Sequence, residues 1–319
     1  MSALPSGWII LDKPHGMGST QAVAAVKRNL REAGYGKVKV GHGGTLDPLA
    51  TGVLPIAVGE ATKLCGRMLD ASKVYAFTVR FGSETDTLDL EGKVIAESAV
   101  RPLPAEVEAV LPRFTGPIEQ VPPAYSALMV GGERAYDLAR KGEVVELESR
   151  SISVYSVLCV STSPDTSGEG DENGKGLEEV TLEAHVSKGT YIRSLARDIA
   201  RALGTVGHVT MLRRLKAGPF GIEQAISLDK LNEIGKGARP EEVQSQALLP
   251  LESGLVDIPV RDLSPEQARA VRQGRVLTGM PFPDGLYWTR TGGVPVALVQ
   301  VSGGDLKVVR GFNLPDVAE

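Results

Sequence analysis

Two segments in which every second residue is apolar most strongly constrain the fold of this 319-residue chain. Residues 74–81 place Tyr75 and Phe77 on one face of a strand, and residues 180–186 alternate in the same way. Helical patterns lie between such strands, including an apolar stripe with a spacing of three to four residues in residues 192–203. This mixture favours an α+β fold with a mixed or mostly antiparallel sheet flanked by helices.

The pattern changes after about residue 250. Ser264-Pro-Glu-Gln is typical of a capping box with proline at N1, and it opens a helix that is expected to end at Gly274. Three short strands separated by glycine turns follow, at residues 286–289, 295–301 and 306–312. We therefore predict two domains, residues 1–250 and 251–319, of which the second is a small, mostly β module.

Other patterns predict the remaining elements of the first domain. Further helices are expected at residues 19–33, 60–69, 104–111 and 134–141, and further strands at 7–13, 53–58 and 152–160. Pro55 interrupts the strand 53–58, which we therefore expect to be an edge or irregular strand. Residues 161–176 contain no apolar residue and many turn formers, which predicts a surface loop.

The charge of the chain is unevenly distributed. The formal net charge is −4, which by itself argues weakly against a nucleic-acid partner. However, residues 188–216 carry a net charge of +6 and residues 27–39 a net charge of +4. Either segment alone could equally be a solvated surface. Local fields steer a polyanion, so both segments are candidates for contact with phosphates.

The cysteines and histidines do not predict a metal site. Cys65 and Cys159 are the two cysteines, and the four histidines are scattered without the spacing of metal ligands. The N-terminal residues lack the basic and apolar regions of a signal peptide, and no segment approaches the length of a membrane span. We expect a cytoplasmic protein that needs no metal and does not contact a membrane.

The segment GHGGTLDPLATGVLP, residues 41–55, holds a single acid, Asp47, and four glycines. It could be a purely structural turn, because Asp-Pro and glycine favour turns. A phosphate loop is excluded because the required G-x-x-x-x-G-K-[ST] pattern is missing. The third interpretation is catalytic, since an acid among glycines can act as a nucleophile or base towards a sugar carbon. A glycosidase would need a second carboxylate, which is not found nearby in the sequence.

This segment resembles the catalytic motif of the TruB family of tRNA pseudouridine synthases. Further segments resemble motifs of that family in the same order: LDKPHGMGST, SKVYAFTVRFGSETDTLDLEG, VPPAYSALMVGGERAYDLARKG, SKGTYIRSLARDIA and HVTMLRRLKAGPF. Together they cover residues 8 to about 220, and the coincidence of several ordered motifs makes the resemblance specific. It implies a pseudouridine-synthase fold followed by a PUA-like RNA-binding module.

The resemblance implies that Asp47 is the essential catalytic residue. The reaction breaks the N1–C1′ bond of a uridine, rotates the base and rejoins it through C5, without a cofactor. The carboxylate could add to C1′, or it could remove the 2′ proton to give a glycal, and the sequence leaves both routes open. The implied substrate is the T-loop uridine at position 55 of tRNA, recognised within the T-arm by an enzyme that we expect to be a monomer.

The resemblance also assigns roles to other residues. Arg193 matches an arginine that pairs with the catalytic aspartate, and Tyr75 matches a tyrosine that stacks on the target base. By pattern alone, Tyr75 equally suits core packing, and Arg193 suits a surface charge. Tyr191 and Leu212 match residues that line the uracil pocket, although each also fits an ordinary core position.

Two residues outside this group complete the implied site. His42 matches a histidine that helps to hold the RNA loop with its bases flipped out, and Lys13 lies in a motif that could support the active-site loop.

Two alternative functions remain open: a non-catalytic tRNA-binding folding chaperone, and a carboxylate-dependent nucleoside hydrolase that would release free base.

Overall fold

A computed structural model describes residues 5–164, 176–236 and 239–315. The helices are α1 (Ser19–Glu32), α2 (Cys65–Asp70), α3 (Pro104–Val110), α4 (Ala135–Arg140), α5 (Ile192–Ala202), α6 (Leu228–Gly235), α7 (Pro240–Ala247) and α8 (Pro265–Arg272). The strands are β1 (Gly7–Lys13), β2 (Val40–His42), β3 (Thr51–Val58), β4 (Lys73–Phe81), β5 (Ser83–Thr85), β6 (Val94–Glu97), β7 (Gly116–Gln120), β8 (Met129–Val130), β9 (Glu133–Arg134), β10 (Arg150–Pro164), β11 (Leu177–Val186), β12 (Gly207–Ala217), β13 (Phe220–Gly221), β14 (Ile226–Ser227), β15 (Leu249–Pro250), β16 (Val260–Asp262), β17 (Gly285–Thr291), β18 (Val294–Ser302) and β19 (Asp305–Gly311).

The chain forms two compact units that are discontinuous in sequence. The first unit comprises Met1–Pro48, Gly52–Leu69 and Ala217–Glu319, and the second comprises Leu49–Thr51 and Asp70–Lys216. Both contain helices and sheet, with parallel and antiparallel strand pairs in the first unit and antiparallel pairs in the second. The predicted α+β class with a mixed, mostly antiparallel sheet is therefore confirmed.

The buried strand β1 organises the first unit. It pairs antiparallel with β3 over its whole length, and on its other edge it pairs parallel with β14 and antiparallel with β15. Trp8 on β1 is fully buried, packs against the ring of Phe220 at 5.1 Å between ring centroids, and donates its indole N–H to the Leu251 carbonyl at 3.0 Å. A buried indole that finds such an acceptor gains its apolar area without leaving its N–H unpaired.

The prediction that Pro55 marks an edge or irregular strand is wrong. Within the first unit, β3 has β1 on one side and β2 on the other. The Pro55 carbonyl accepts the Gly43 N–H at 2.8 Å, just beyond the end of β2. The N–H and C=O of one residue point to the same side of a strand, so the missing donor of Pro55 faces the end of the short strand β2, and the pairing with β1 is intact.

The C-terminal strands form a second sheet in the first unit, in the order β16-β17-β18-β19. Helix α8 begins at the predicted capping box, where Ser264 Oγ accepts the Gln267 N–H at 3.2 Å. The three predicted strands are present: β17 and β18 are longer than expected, and β19 has the expected length but begins one residue earlier. A separate apolar core that includes Leu263, Val296 and Leu306 packs under this sheet. The boundary at residue 250 stays a prediction.

The second unit is a sheet with strand order β12-β4-β11-β10-β7. Strands β4 and β11 are the two alternating segments of the sequence, and they pair antiparallel. Helix α5 packs against β4, and its predicted apolar stripe is buried at Ile192, Leu195 and Ile199. Because Phe77 and Val79 are buried on the same strand, the period-two pattern identifies the covered face correctly.

Some elements differ from the prediction. Strand β10 continues to Pro164, so residues 161–164 are strand and not loop; the rest of the predicted loop, residues 165–175, lies outside the described residues. Strand β12 is not predicted from the sequence, because residues 207–217 contain basic residues that obscure the alternation. The predicted helices at 104–111 and 134–141 are confirmed as α3 and α4.

Candidate active site

Asp47 lies in the loop between β2 and β3 of the first unit, and its side chain is half-buried. The residue before it, Leu46, is fixed by Ser19 at the start of α1. Ser19 Oγ accepts the Leu46 N–H at 2.9 Å and donates to the Leu46 carbonyl at 3.0 Å. One hydroxyl therefore holds both backbone groups of the residue that precedes Asp47.

Pro48, the residue after Asp47, is held by residues of the N-terminal segment LDKPHGMGST. The Pro48 carbonyl accepts the Gly16 N–H at 2.8 Å and a proton of Lys13 Nζ at 3.3 Å. The fully buried Lys13 ammonium also donates to the carbonyls of Pro14 at 3.0 Å and Met17 at 2.7 Å. A buried ammonium needs such acceptors to offset the loss of water, so Lys13 ties two loops together.

At two positions of the Asp47 loop, the backbone or its surroundings require glycine. A Cβ added at Gly43 would lie 2.6 Å from Cβ of Met68, closer than real side chains approach. Gly44 has φ of 140°, a backbone conformation that favours glycine. Its N–H donates to Nδ1 of His42 at 3.4 Å, so the half-buried imidazole lies against the start of the Asp47 loop.

The other predicted site residues belong to the second unit. Tyr75 on β4 pairs with Ala184 of β11 and is half-buried, unlike Phe77 on the same face, which is fully buried. Leu212 on β12 is 7% exposed. Tyr191 is the N-cap residue of α5 and is half-buried. The sequence patterns alone do not separate these positions from ordinary core residues.

Arg193 is a buried charge in the first turn of α5. Its Nη1 donates to the Thr87 carbonyl at 2.9 Å and to Oδ2 of Asp89 at 3.2 Å, and its Nη2 donates to the Tyr125 carbonyl at 3.0 Å. The side chain of Arg193 is 7% exposed and that of Asp89 is 4% exposed. The surface position that the isolated pattern favours is therefore wrong. The predicted pairing of Arg193 with Asp47 stays a prediction.

Asp89 is a candidate functional residue that the sequence analysis does not identify. Its Oδ1 accepts the hydroxyl of Thr87 at 2.5 Å and the Glu91 N–H at 3.0 Å, which leaves Oδ2 for Arg193. The preceding residue, Leu88, has φ of 63°, a conformation that costs a non-glycine residue about 1–2 kcal/mol. Such strain is often found at functional sites. Asp89 carries no signal in the sequence, because it is one of several acids in residues 84–91.

Lys73, at the start of β4, is a second charge that the sequence reasoning does not identify. It is 7% exposed, and its Nζ donates to the Ala71 carbonyl at 2.6 Å. Burial, together with the positive charge of the neighbouring Arg214, lowers the pKa of Lys73 to about 8. Its position two residues before Tyr75 makes it a local source of positive charge in the second unit.

The basic side chains of segment 188–216 are largely buried or paired within the second unit. Arg193 and Arg214 are buried, and Arg201 forms an ion pair with Glu84 at 2.8 Å. The other basic segment lies on the surface of the first unit, with these exposed residues: Lys27, Arg28, Arg31, Lys37 and Lys39. The latter segment is the better candidate for contact with a polyanion.

Among the described residues, no group of three or more His, Cys, Asp and Glu side chains could hold a metal ion. Within the same residues, the helices are too short or too polar to cross a membrane.

Comparison with known proteins places this chain in a family. Residues 30–192 match the family model described as the TruB family pseudouridylate synthase N-terminal domain, and residues 193–256 match the tRNA pseudouridylate synthase B C-terminal domain. The tRNA pseudouridine synthase B of Novosphingobium aromaticivorans is 74% identical over 313 residues, covering 98% of this chain and 99% of that protein. The tRNA pseudouridine synthase B of Zymomonas mobilis is 54% identical over 307 residues, covering 96% of each.

A solved structure gives the same result for the fold. The structure of an H/ACA RNP bound to a substrate RNA containing 2′-deoxyuridine has a chain with a TM-score of 0.68 and 25% identity to this one, covering 97% of this chain and 86% of that chain. The described fold and the ordered motifs agree with these similarities. This chain belongs to the TruB family of pseudouridine synthases.

Proposed function

We propose that this enzyme isomerises the T-loop uridine at position 55 of tRNA to pseudouridine. The reaction breaks the N1–C1′ bond, turns the uracil and forms a C5–C1′ bond, while the hydrogen on C5 is lost and N1 gains a proton. The substrate class follows from the similarity to proteins named tRNA pseudouridine synthase B. These similarities give no support to a function limited to tRNA folding.

The observation that carries the proposal is the fixed backbone on both sides of Asp47. Leu46 is held by Ser19, and Pro48 is held by Gly16 and Lys13. An acid that attacks C1′ or removes the 2′ proton must be held at its productive position, since a misplacement of about 1 Å can lower the rate roughly 100-fold. A loop fixed at both neighbours supports that use, whereas a purely structural turn needs no such double attachment.

The remaining assignments follow the family resemblance. We propose that Arg193 orients the carboxylate of Asp47, that Tyr75 stacks on the target base, and that Tyr191 and Leu212 line the uracil pocket. The half-burial of Tyr75 and Tyr191 supports this, because a ring that receives a base must remain partly accessible.

The assignments nearer the Asp47 loop rest on contacts within the first unit. We propose that His42 helps to hold the RNA loop with its bases flipped out, and its half-burial leaves part of the ring accessible. Lys13 supports the Asp47 loop through the Pro48 carbonyl. Extruding a stacked base costs a few kcal/mol, which stacking on tyrosine and phosphate contacts offset.

The C-terminal strands are proposed to form a PUA-like module that adds contacts to tRNA. The proposed module, residues 251–319, contains seven basic and eight acidic residues, so its total charge does not favour RNA. The proposed contact with RNA therefore follows from the family resemblance. We further propose that the enzyme acts as a cytoplasmic monomer without a metal or organic cofactor, since the carboxylate chemistry of Asp47 needs neither.

Mapping the product in an unmodified tRNA transcript tests the proposed position. We expect pseudouridine at position 55 only, and also in an isolated T-arm hairpin, because the family recognises the shape of the loop. A transcript with cytidine at position 55 is the matched control and is expected to contain no pseudouridine. Modification at another uridine, or activity that requires the whole tRNA, would contradict the proposal, and release of free uracil would point to a hydrolase.

A further inference from the structure

Gln120, the last residue of β7, makes a paired contact with the backbone of Tyr191. It is 1% exposed, and its Oε1 accepts the Tyr191 N–H at 2.8 Å while its Nε2 donates to the Tyr191 carbonyl at 3.2 Å. The donor and the acceptor of one carboxamide are thus both used on a single residue. This arrangement fixes the position and also the orientation of the Tyr191 backbone.

The backbone of Tyr191 determines where two proposed site residues lie. As the N-cap of α5, Tyr191 has extended dihedral angles, φ −97° and ψ 110°, and its carbonyl accepts the Leu195 N–H at 3.0 Å. A rotation here would move the Tyr191 ring and would also redirect the first helical turn. That turn carries Arg193, whose guanidinium is bonded to three groups of the second unit.

The residues that follow Gln120 hold the same helical turn. The Val121 carbonyl accepts the hydroxyl of Ser194 at 2.8 Å and Nη2 of Arg197 at 3.1 Å. The Tyr125 carbonyl accepts Nη2 of Arg193 at 3.0 Å. Residues 120–125 therefore run along the first turn of α5 and form hydrogen bonds to it. Among them, Gln120 holds the backbone of the N-cap residue.

We propose that Gln120 is a positioning residue for the isomerisation. Its carboxamide holds the Tyr191 backbone so that the tyrosine ring faces the uracil and Arg193 keeps its orientation. The inference rests on the proposed role of Tyr191 in the uracil pocket. Gln120 does not touch the reacting atoms, so its loss is expected to slow the chemical step without weakening the binding of tRNA.

The test compares two substitutions of Gln120 with one control in the same unit. Gln120→Met keeps the length of the side chain and removes both hydrogen bonds, whereas Gln120→Glu keeps the acceptor for the Tyr191 N–H and loses the donor once its carboxyl is ionised. Thr205→Val is the control, because Thr205 is buried and its hydroxyl donates to the Val100 carbonyl at 2.9 Å, just beyond the other end of α5. The control removes one buried hydrogen bond and leaves Tyr191 unchanged.

Three quantities are measured for each full-length protein: the melting temperature, the dissociation constant for a tRNA with cytidine at the target position, and the single-turnover rate on uridine tRNA. We expect the rate of Gln120→Met to fall roughly 10- to 100-fold, as a misplacement of about 1 Å can cause, with an unchanged dissociation constant. Gln120→Glu is expected to give an intermediate rate, and Thr205→Val a rate near that of the wild type.

A folded Gln120→Met protein with a wild-type rate would overturn the inference, as would a defect that appears only in tRNA affinity. If Gln120→Met does not fold, Gln120→Glu decides at a pH at which its carboxyl is ionised and cannot donate, because a wild-type rate under that condition would also overturn the inference. Tyr191→Ala separates this inference from the proposed site. Full activity of Tyr191→Ala would remove Tyr191 from the pocket, whereas a slow Tyr191→Ala beside a normal Gln120→Met would refute only the role of Gln120.

Discussion

Burying the Arg193 guanidinium removes it from water, and the second unit compensates for this with one carboxylate and two carbonyls. The two carbonyls, from Thr87 and Tyr125, hold different Nη atoms, and the Asp89 carboxylate supplies the opposite charge. Breaking such a pair on one side leaves a buried charge and typically costs about 3–5 kcal/mol. The Arg193 geometry is therefore fixed by the fold before any substrate arrives.

This geometry predicts that Arg193→Lys abolishes most of the activity. A lysine ammonium has no planar fork, so it cannot reproduce the contacts of Nη1 and Nη2 at once. We expect a roughly 100-fold fall in the single-turnover rate on tRNA. Arg201→Lys on the same helix is the control, since Arg201 pairs with Glu84, and its rate is expected to stay near wild type. A folded Arg193→Lys enzyme of normal rate would show that the fork is unnecessary.

The lowered pKa of Lys73 predicts that the free energy of unfolding depends on pH. Its pKa of about 8 in the folded protein lies below its ordinary value, because burial and the Arg214 charge disfavour the ammonium. Between pH 8 and about 10.5, the unfolded chain therefore binds more protons at this site, and the free energy of unfolding rises with pH. Below about pH 7 the lysine is protonated in both states, and its destabilising contribution is constant.

Comparing the wild type with Lys73→Met isolates this contribution. We expect the free energy of unfolding of the wild type, relative to that of the variant, to rise by roughly 2–3 kcal/mol between pH 8 and 10.5. Denaturant unfolding at several pH values in that range measures the difference. A difference that is constant or falls with rising pH would contradict the lowered pKa.

At the scale of elements, the Asp47 loop depends on attachments to residues far from it in sequence. Ser19 opens α1 and at the same time bonds both backbone groups of Leu46. Ser19→Ala removes both bonds and leaves buried backbone groups without that partner, at a cost of about 1–3 kcal/mol. We expect the turnover rate to fall roughly tenfold, because Asp47 no longer has a fixed position.

Ser227→Ala provides the matched control for this prediction. Ser227 is the N-cap of α6 in the same unit, and its hydroxyl accepts the Lys230 N–H at 3.1 Å. Its replacement is expected to cost about 1 kcal/mol of stability. Melting temperatures and turnover rates of the two variants decide the matter: equal rates would mean that Ser19 serves only stability.

The elements that the sequence predicts well are those with a regular period. Strands β4 and β11 and helix α5 each bury one face, so their alternation or helical stripe is visible in the sequence. The prediction for strand β3 is wrong because a proline normally indicates an edge, and only the short length of β2 shows why Pro55 is tolerated. Strand β12 escapes prediction because charged residues such as Arg214 are buried in it by tertiary contacts.

The candidate site is predictable only in part, for a similar reason. Asp47 is identifiable because it is a single acid in a glycine-rich motif that resembles a known family. Asp89 and Gln120 carry no local signal, since their roles depend on contacts with residues 104 and 71 positions away in the chain. Such long-range hydrogen bonds cannot be read from periodicity or local motifs.

At the scale of the whole molecule, the distribution of charge matters more than the total of −4. Much of the positive charge of residues 188–216 is neutralised or buried within the second unit, for example at Arg193 and Arg214. The exposed basic residues of segment 27–39 remain available to phosphates. We therefore expect tRNA affinity to fall steeply with salt, mainly because of this exposed segment.

Neutralising part of that segment tests the expectation. The triple variant Lys27→Gln, Arg31→Gln and Lys37→Gln is expected to reduce the slope of log affinity against log salt by about 1 for each phosphate that the protein no longer neutralises. Lys93→Gln with Arg113→Gln is the control, because both are exposed basic residues of the second unit. An unchanged slope in the triple variant would exclude segment 27–39 from the interface.

The most direct test of the account is the release of tritium from tRNA labelled at uracil C5, with the wild type and Asp47→Asn compared side by side. Joining C5 to C1′ expels the hydrogen on C5, so release reports the isomerisation itself. We predict release by the wild type and none by Asp47→Asn, which keeps the shape of the side chain and is expected to bind tRNA with similar affinity. Substantial release by Asp47→Asn would show that this carboxylate is not the catalytic group, and no release by either protein would contradict the proposed reaction.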